Sequence, residues 1–320
     1  MTTISIAMTS YNAARFIEQQ LASFAAQTRL PDELVISDDG STDDTAAIVE
    51  RFARTVPFPV RHLLGLPKLG MHMNFDRAVG AATGDIVFMS DDDDIWFPEK
   101  LETVEAVFAA DPAALTVVND QVIADAECRP TGRTVLENAR RLGYGDAALG
   151  TGACTAMKRG ILPILRPFPG SAVAYDHWTN SLPLLLGVRR VVEQPLQLYR
   201  RHGKNMTASV LADAEANTLS LVTAKTGNRR EAYRRHVAGL DLQRERLEDR
   251  RDALAALGLT GATERALVEL RAQREDTEAR LRALSRPRLA RPLVVARHLA
   301  AGRYRRFQGW RSAAKDVLAP

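Results

Sequence analysis

Cysteines, long apolar runs and signal-peptide features are scarce or missing in this 320-residue chain. Its two cysteines, Cys128 and Cys154, form no CxxC pair and no disulfide-dense pattern, which favours a reducing compartment and structural roles. No run approaches the roughly 20 apolar residues that span a bilayer. The N-terminus enters an apolar strand pattern with no basic region before it, so a secretory leader is not indicated. We therefore expect a cytoplasmic protein.

A glycine-rich phosphate loop is also missing near the N-terminus. Residues 9–15 read Thr-Ser-Tyr-Asn-Ala-Ala-Arg, without the glycines that nucleotidyl transfer on a related sheet usually needs. The missing loop argues against nucleotidyl transfer onto sugar phosphates, which therefore stays only an alternative. The chain carries no recognisable motif for reading nucleic acid, although basic C-terminal helices leave such binding as a third alternative. A mobility-shift assay at two salt concentrations separates it, because phosphate-driven binding weakens with salt.

Charge is distributed unevenly along a chain of otherwise ordinary composition, which is 46% hydrophobic with a net charge of +4. Residues 211–320 carry 23 basic and 14 acidic side chains, a balance of +9, whereas residues 1–210 carry 20 and 25, a balance of −5. This asymmetry indicates two functions. We expect one domain at residues 1–210 and a basic helical extension at residues 211–320.

Three strand, polar turn and helix units fill the first 110 residues. Apolar runs at residues 4–8, 34–37 and 85–89 each end in polar residues, and a helix is expected to begin near Thr45. Such alternation predicts a parallel α/β sheet, whose ligands bind beyond the carboxyl ends of the strands. Four consecutive aspartates at residues 91–94 would repel one another there unless a hard divalent cation lay among them.

The motifs at residues 9–12, 37–43 and 90–98 resemble the nucleotide-sugar half of a family 2 glycosyltransferase, in its rhamnosyltransferase-like branch. The resemblance continues through residues 150–156, 175–178 and 198–205 and covers about two-thirds of the chain. It implies a GT-A fold, a mostly parallel sheet with flanking helices. It also implies inverting, metal-dependent transfer from a nucleoside diphosphate sugar. The expected donor is dTDP-rhamnose or a UDP-hexose, and the expected acceptor is a cell-surface glycan or a lipid-linked oligosaccharide.

The resemblance assigns metal and donor residues to the strand ends. Asp93 is implied as the principal carboxylate ligand of Mn²⁺ or Mg²⁺, with His202 as a further ligand. Asp91 then faces the ribose or the metal, while Asp92 and Asp94 leave the register open by one residue. The other residues implied to bind the nucleotide sugar are Thr9 and Tyr11 after the first strand, Asp39 at the nucleobase imide, and Arg200 and Arg201 at the diphosphate.

Asp176 matches the position of the family's catalytic base, which takes a proton from the acceptor hydroxyl. The branch usually reads His-Asp-Trp-Trp here, whereas this chain reads Tyr175, Asp176, His177 and Trp178. His177 therefore stays open as an alternative base. Both His177 and Trp178 are expected at the acceptor, although a buried aromatic is the commoner fate of Trp178.

The C-terminal 110 residues predict a helical hairpin, broken at residues 258–261, followed by a basic tail. Residues 286–311 interleave arginines with apolar side chains, and the arginines between the two ends are Arg288, Arg291, Arg297, Arg303, Arg305 and Arg306. Such a segment suits peripheral binding at the inner face of the cell membrane. Packing of the tail against the acidic domain, and a homodimer through these helices, both stay open.

Overall fold

The computed structural model describes residues 2–64, 67–202, 229–307 and 309–318. Two compact units, Met1–Ala216 and Asn217–Pro320, make up the chain. The domain boundary expected at residue 210 and the end of the motif at residues 198–205 lie outside the described residues. Among those residues, no helix is long and apolar enough to cross a membrane.

The first unit alternates strands and helices. Its described strands are β1 (Ile4–Ser10), β2 (Glu33–Asp38), β3 (Val60–Leu63), β4 (Ile86–Ser90), β5 (Ile95–Trp96), β6 (Thr116–Ala124), β7 (Pro130–Thr134), β8 (Thr155–Lys158) and β9 (Arg189–Arg200). Its described α-helices are α1 (Ile17–Ala25), α2 (Thr45–Ala53), α3 (Met71–Ala81), α4 (Lys100–Ala110), α5 (Val135–Arg141), α6 (Leu162–Leu165) and α7 (Tyr175–Leu185). The predicted strands at residues 4–8, 34–37 and 85–89 and the helix start at Thr45 are confirmed.

All nine strands form one sheet in the order β3-β2-β1-β4-β8-β6-β9-β5, with β7 paired to β6. The first four strands in this order are parallel, and β6 is parallel to β9. The pairs β4–β8, β6–β8, β6–β7 and β5–β9 are antiparallel. The expected α/β fold is therefore confirmed, with the correction that its sheet is mixed and is parallel mainly in its N-terminal half.

The parallel N-terminal strands are buried on both faces. Every residue of β1, β2 and β4 is buried, because helices cover both faces of a parallel sheet. In the register of these strands, Ser10 lies beside Asp38 and Met8 beside Ser90. The polar turns after β1, β2 and β4 therefore meet at one edge of the sheet. This edge carries the candidate site.

The second unit is helical in its described part. It contains α8 (Arg229–Asp249), α9 (Arg251–Ala256), α10 (Thr260–Leu284), α11 (Arg291–Ala300) and α12 (Trp310–Leu318). The long helices α8 and α10 pack against each other, with Leu240, Leu247, Leu267 and Leu270 buried along them. Leucines spaced by three, four or seven residues lie on one helix face, which explains this pairing.

Asp316 on α12 is the polar centre of the second unit and is fully buried. Its carboxylate accepts hydrogen bonds from Arg229 Nη1 at 3.0 Å, Tyr233 Oη at 2.5 Å, Arg280 Nε at 2.8 Å and Tyr304 Oη at 2.9 Å. These donors lie on α8, on α10 and in the turn before α12. One buried carboxylate thus joins the C-terminal helix to both long helices.

Candidate active site

The acidic turn follows β4 and gathers three carboxylates. One oxygen from each of Asp91, Asp93 and Asp94 lies within 4.8 Å of the others. His202, just beyond β9, places Nε2 at 2.8 Å from Asp93 Oδ2 and stacks its ring on Phe16. Carboxylate oxygens with one imidazole suit Mn²⁺ or Mg²⁺. The residues present therefore fit the divalent cation that the motif implies.

The four aspartates of the turn have different environments. Asp94 is fully buried and accepts from Gln197 Nε2 at 2.7 Å and from the Arg200 backbone amide at 3.1 Å. Asp92 accepts from the backbone amide of Tyr11 at 3.2 Å. Asp91, Asp92 and Asp93 are all half-buried. Because Asp94 is held inside the protein and Asp92 lies outside the carboxylate cluster, we infer that Asp91 and Asp93 are the pair presented to a ligand.

Burial and mutual repulsion keep protons on this turn. Burial, together with the negative charges of Asp93 and Asp176, raises the pKa of Asp91 to about 7. The pKa values of Asp92 and Asp94 are raised well above their usual range, again chiefly by burial and then by neighbouring aspartates. A metal-free turn thus carries less than its full negative charge at neutral pH.

Lys100 on α4 lies behind the turn and was not predicted from the sequence. Its fully buried Nζ donates to the Ala153 carbonyl at 3.0 Å and to Gln197 Oε1 at 2.5 Å, and lies 3.8 Å from the centre of the Trp96 ring. Burial lowers the pKa of Lys100 to about 8, although Asp94 and other acidic neighbours oppose this shift. The sequence signal that could have revealed Lys100 is its helical spacing with the buried residues of α4. A lysine at such a position needs a partner, because lysine rarely enters a core without one.

We expect the metal-free protein to lose stability as the pH rises from the ordinary aspartate pKa of 3.8 to about 7, because Asp91, Asp92 and Asp94 bind protons more tightly when folded. A carboxyl whose pKa is raised in the folded state contributes stability that is fully present below its unfolded pKa. It is lost as the pH rises through the folded pKa, which for Asp91 is about 7. Thermal unfolding in EDTA across this range measures the effect. Added Mn²⁺ should raise Tm more at the alkaline end, since ligands bind metal deprotonated; a metal-free Tm that rises with pH would contradict the prediction.

The turn after β2 holds two aspartates with separate tasks. Asp38 accepts from the backbone amides of Gly40 and Ser41 at 2.9 and 2.6 Å, so it shapes the turn. Asp39 accepts from the amides of Leu69 and Gly70 at 2.6 and 3.0 Å, at the start of α3. Asp39 therefore joins two loops at the edge where the nucleobase is expected. Each of its oxygens has a second lone pair for a ligand.

The other donor residues expected near the first strand lie at the same edge. Thr9 is buried near the end of strand β1, and Tyr11 follows the strand with an exposed ring. Lys68 Nζ lies 3.6 Å from the centre of that ring. Arg77 on α3 was missed: it donates to Ser37 Oγ at 2.6 Å and to the Asp38 carbonyl at 2.7 Å, and so braces the turn after β2.

The first turn of α7 brings Asp176 toward the acidic turn. Tyr175 stacks on Phe75 with 4.1 Å between ring centres, and its hydroxyl lies 3.4 Å from Asp91 Oδ1. A side chain at Gly152 would collide with the Tyr175 ring, so glycine is required there. Burial raises the pKa of Asp176, while the His177 amide, donating at 2.7 Å, opposes this shift. A half-buried carboxylate with a raised pKa suits proton abstraction.

Two expected contacts need correction. Trp178 is 1% exposed and donates from Nε1 to the Leu165 carbonyl at 2.8 Å, so it is a core residue and not an acceptor surface. Arg200 is 2% exposed and donates from Nε to the Asp93 carbonyl at 2.6 Å and from Nη1 to the Ala126 carbonyl at 2.8 Å. It therefore holds the acidic turn from inside and does not clamp a diphosphate.

The remaining predicted residues keep an accessible position. His177 is exposed beside Asp176, and Arg201 is half-buried with Nη1 donating to Tyr199 Oη at 3.0 Å. Neither is locked inside the core as Arg200 is. They remain candidates for contacts with acceptor and donor.

Residues 5–163 match the family model described as glycosyl transferase family 2. The chain belongs to this family. The matched residues include the turns after β1, β2 and β4, whereas Asp176 and His202 lie beyond the match. A glycosyltransferase of Nostoc sp. is 28% identical over 232 residues, which are 67% of this chain and 70% of that protein. The dTDP-rhamnosyl transferase RfbG of Shigella flexneri is 28% identical over 68% of this chain and 80% of its own length.

Solved structures show the fold. Staphylococcus aureus TarS 1-349, in complex with UDP-GlcNAc, has a TM-score of 0.55 at 16% identity, covering 98% of this chain and 88% of that one. The mannosyltransferase PcManGT from Pyrobaculum calidifontis, in complex with GDP-Man and Mn²⁺, has a TM-score of 0.52 at 19% identity, with coverages of 99% and 85%. The expected GT-A fold is confirmed.

Proposed function

We propose that this family 2 enzyme is an inverting, metal-dependent glycosyltransferase that transfers a hexose or deoxyhexose from a nucleoside diphosphate sugar. The observation that carries the proposal is the placement of Asp91 between two groups. Its carboxylate lies beside Asp93, which contacts His202, and it also faces the helix turn that carries Asp176. A cation site thus adjoins a candidate base, as transfer with departure of a diphosphate requires.

The chain's residues divide the chemistry between two sides of the donor. Bound by Asp91, Asp93 and His202, Mn²⁺ or Mg²⁺ would neutralise the charge of the departing diphosphate. Asp176 accepts the proton of the acceptor hydroxyl. The oxygen of that hydroxyl attacks the anomeric carbon from the face opposite the departing diphosphate. Since attack and departure occur on opposite faces, the anomeric configuration inverts. His177, which is adjacent and exposed, is proposed to contact the acceptor.

The nucleobase is proposed to be thymine or uracil. Asp39 lies at the edge of the site, and its carboxylate can accept the imide N–H that both bases present. The similarity to a dTDP-rhamnosyl transferase over 68% of this chain favours dTDP-rhamnose as the donor, with a UDP-hexose second. We propose a growing cell-surface glycan or a lipid-linked oligosaccharide as the acceptor, met on the cytoplasmic side of the cell membrane.

Calorimetric titration of dTDP and UDP, with Mn²⁺ and with EDTA, tests the donor site. We expect Mn²⁺ to tighten binding, and Asp93→Ala to weaken it at least about tenfold in Mn²⁺ but little in EDTA, because a metal ligand is lost. Asp111→Ala is the matched control, since Asp111 is a surface carboxylate paired with Arg190. Equal affinity of the unaltered protein with and without metal would refute the metal site. Repeating the titration with dTDP-rhamnose and UDP-hexoses identifies the donor.

A further inference from the structure

A long stretch of the second unit contains no acidic residue. Residues 279–315 carry eleven arginines and lysines and not one aspartate or glutamate. The stretch begins near the end of α10 and includes the whole of α11. Any surface that its exposed side chains form is therefore positive.

Part of this stretch is already ion-paired or buried within the second unit. Arg306 pairs with Glu269 at 2.8 Å and with Asp276 at 2.9 Å. Tyr304 is fully buried against Asp316. Arg291 and Val295 are also buried, on the inner face of α11. Only part of residues 286–311 is therefore exposed for a contact outside the unit.

The apolar side chains on the outer face of α11 are exposed and are not packed inside the unit. Leu289, in the turn before the helix, is 98% exposed, and Leu293 is 61% exposed. Their spacing continues along the helix, so that one exposed stripe is formed by Leu289, Pro292, Leu293, Ala296 and Ala300. Exposed arginines flank this stripe at Arg286, Arg288 and Arg297. We call these eight residues the α11 face.

We propose that the α11 face docks the enzyme on an anionic lipid bilayer. Arginines that flank a leucine stripe match the two layers of a membrane surface, because anionic headgroups attract the charges while the leucines insert shallowly. Docking here rests on the proposed glycosyltransferase function only in placing the enzyme where lipid-linked acceptors are found.

Two other occupants fit the α11 face less well. A second copy related by a twofold axis would bring the same arginines together, and no carboxylate in the stretch could neutralise them. A nucleic acid would satisfy the arginines but leave the leucine stripe without apolar contacts. The combination of charge and exposed leucine therefore favours lipid.

Co-sedimentation of the full chain with vesicles tests the proposal. One set of vesicles contains phosphatidylcholine alone, and the other adds phosphatidylglycerol. We expect binding to the anionic vesicles at low salt, little binding to the neutral ones, and weakening as salt screens the arginines. Absence of binding to anionic vesicles at low salt would overturn the proposal. The calorimetric test of the donor site would be unaffected by that failure.

Three variants locate the docking surface. The pairs Leu289→Ser with Leu293→Ser, and Arg288→Ser with Arg297→Ser, should each weaken vesicle binding about tenfold or more. Val268→Ser is the matched control, because Val268 on α10 is 64% exposed and lies outside the α11 face. It should bind like the unaltered protein. If all three variants weaken vesicle binding equally, or if none of them weakens it, the assignment is contradicted.

Analytical ultracentrifugation of the same proteins separates lipid docking from self-association. All replaced side chains are exposed, so we expect their thermal unfolding to match that of the unaltered chain. If the unaltered chain is a dimer that the leucine pair converts to monomer, and neither protein binds vesicles, the α11 face is an interface between copies. The bilayer proposal would then be wrong.

Discussion

Replacing Asp176 by asparagine is expected to lower kcat by about 10²- to 10⁴-fold, which is the range supplied by a positioned general base. Asparagine keeps the shape of the side chain but cannot take the acceptor proton. Affinity for the nucleotide should change little, because Asp176 lies on α7 and not in the turns that gather the donor residues. Steady-state kinetics combined with calorimetry separates the two effects.

His177→Ala is the control for this assignment, because His177 is exposed and adjacent to Asp176. If Asp176 is the base, His177→Ala changes KM for the acceptor more than kcat. The pH profile provides a second readout. A base with a raised pKa makes kcat/KM rise with pH through that pKa, and Asp176→Asn should remove this limb. Near-normal turnover of Asp176→Asn, with loss of turnover in His177→Ala, would transfer the role to His177.

The N-terminal half of the fold follows from local sequence. Apolar runs ending in polar turns predict β1, β2 and β4, since strands covered on both faces read as continuous apolar segments. The pairing of the strands in the C-terminal half of the sheet does not follow from local sequence. The strand β8 has only four residues, and its antiparallel pairing with β4 and β6 depends on contacts distant in sequence. Only the whole sheet specifies that register.

Pro195 shows how tertiary pairing overrides a local rule. A proline is expected to end a strand or to mark a sheet edge, because it cannot donate to a ladder. Instead β9 continues to Arg200, between β6 and β5. A register shift relieves the conflict, since Asn119 pairs with Val192 but Asp120 pairs with Pro195. The extra residues of β9 bulge at this point.

The candidate site was predictable in composition but not in orientation. Four aspartates in a row indicate a cation, yet the sequence leaves open which of them faces it. The structure separates them through partners on distant elements, because Gln197 and the Arg200 amide draw Asp94 inward. The same strand end buries Arg200, which the motif alone places at the diphosphate. Partners on β9 therefore determine the register of the acidic turn.

The second large effect is expected in the helical unit, where Asp316→Ala should destabilise folding by about 3–5 kcal/mol. The change leaves Arg280, whose side chain is 5% exposed, without the carboxylate that receives its Nε hydrogen at 2.8 Å. Tyr304, also buried, loses its acceptor. A buried cation and buried donors would remain unpaired, which is costlier than removing both sides of the interaction. Asp252→Ala on α9 is the control, because Asp252 is exposed.

Hydrogen exchange of the full chain, followed by mass spectrometry, locates this loss. Peptides of α8, α10 and α12 should lose protection in Asp316→Ala, because Asp316 bonds residues on α8 and α10. Peptides of β1 and β4 lie in the other compact unit and serve as an internal reference. Asp316→Asn should lie between the two states, since an amide oxygen still accepts one donor but carries no charge for Arg280. Unchanged protection of α10 in Asp316→Ala would show that the leucine contacts between α8 and α10 hold the unit without this carboxylate.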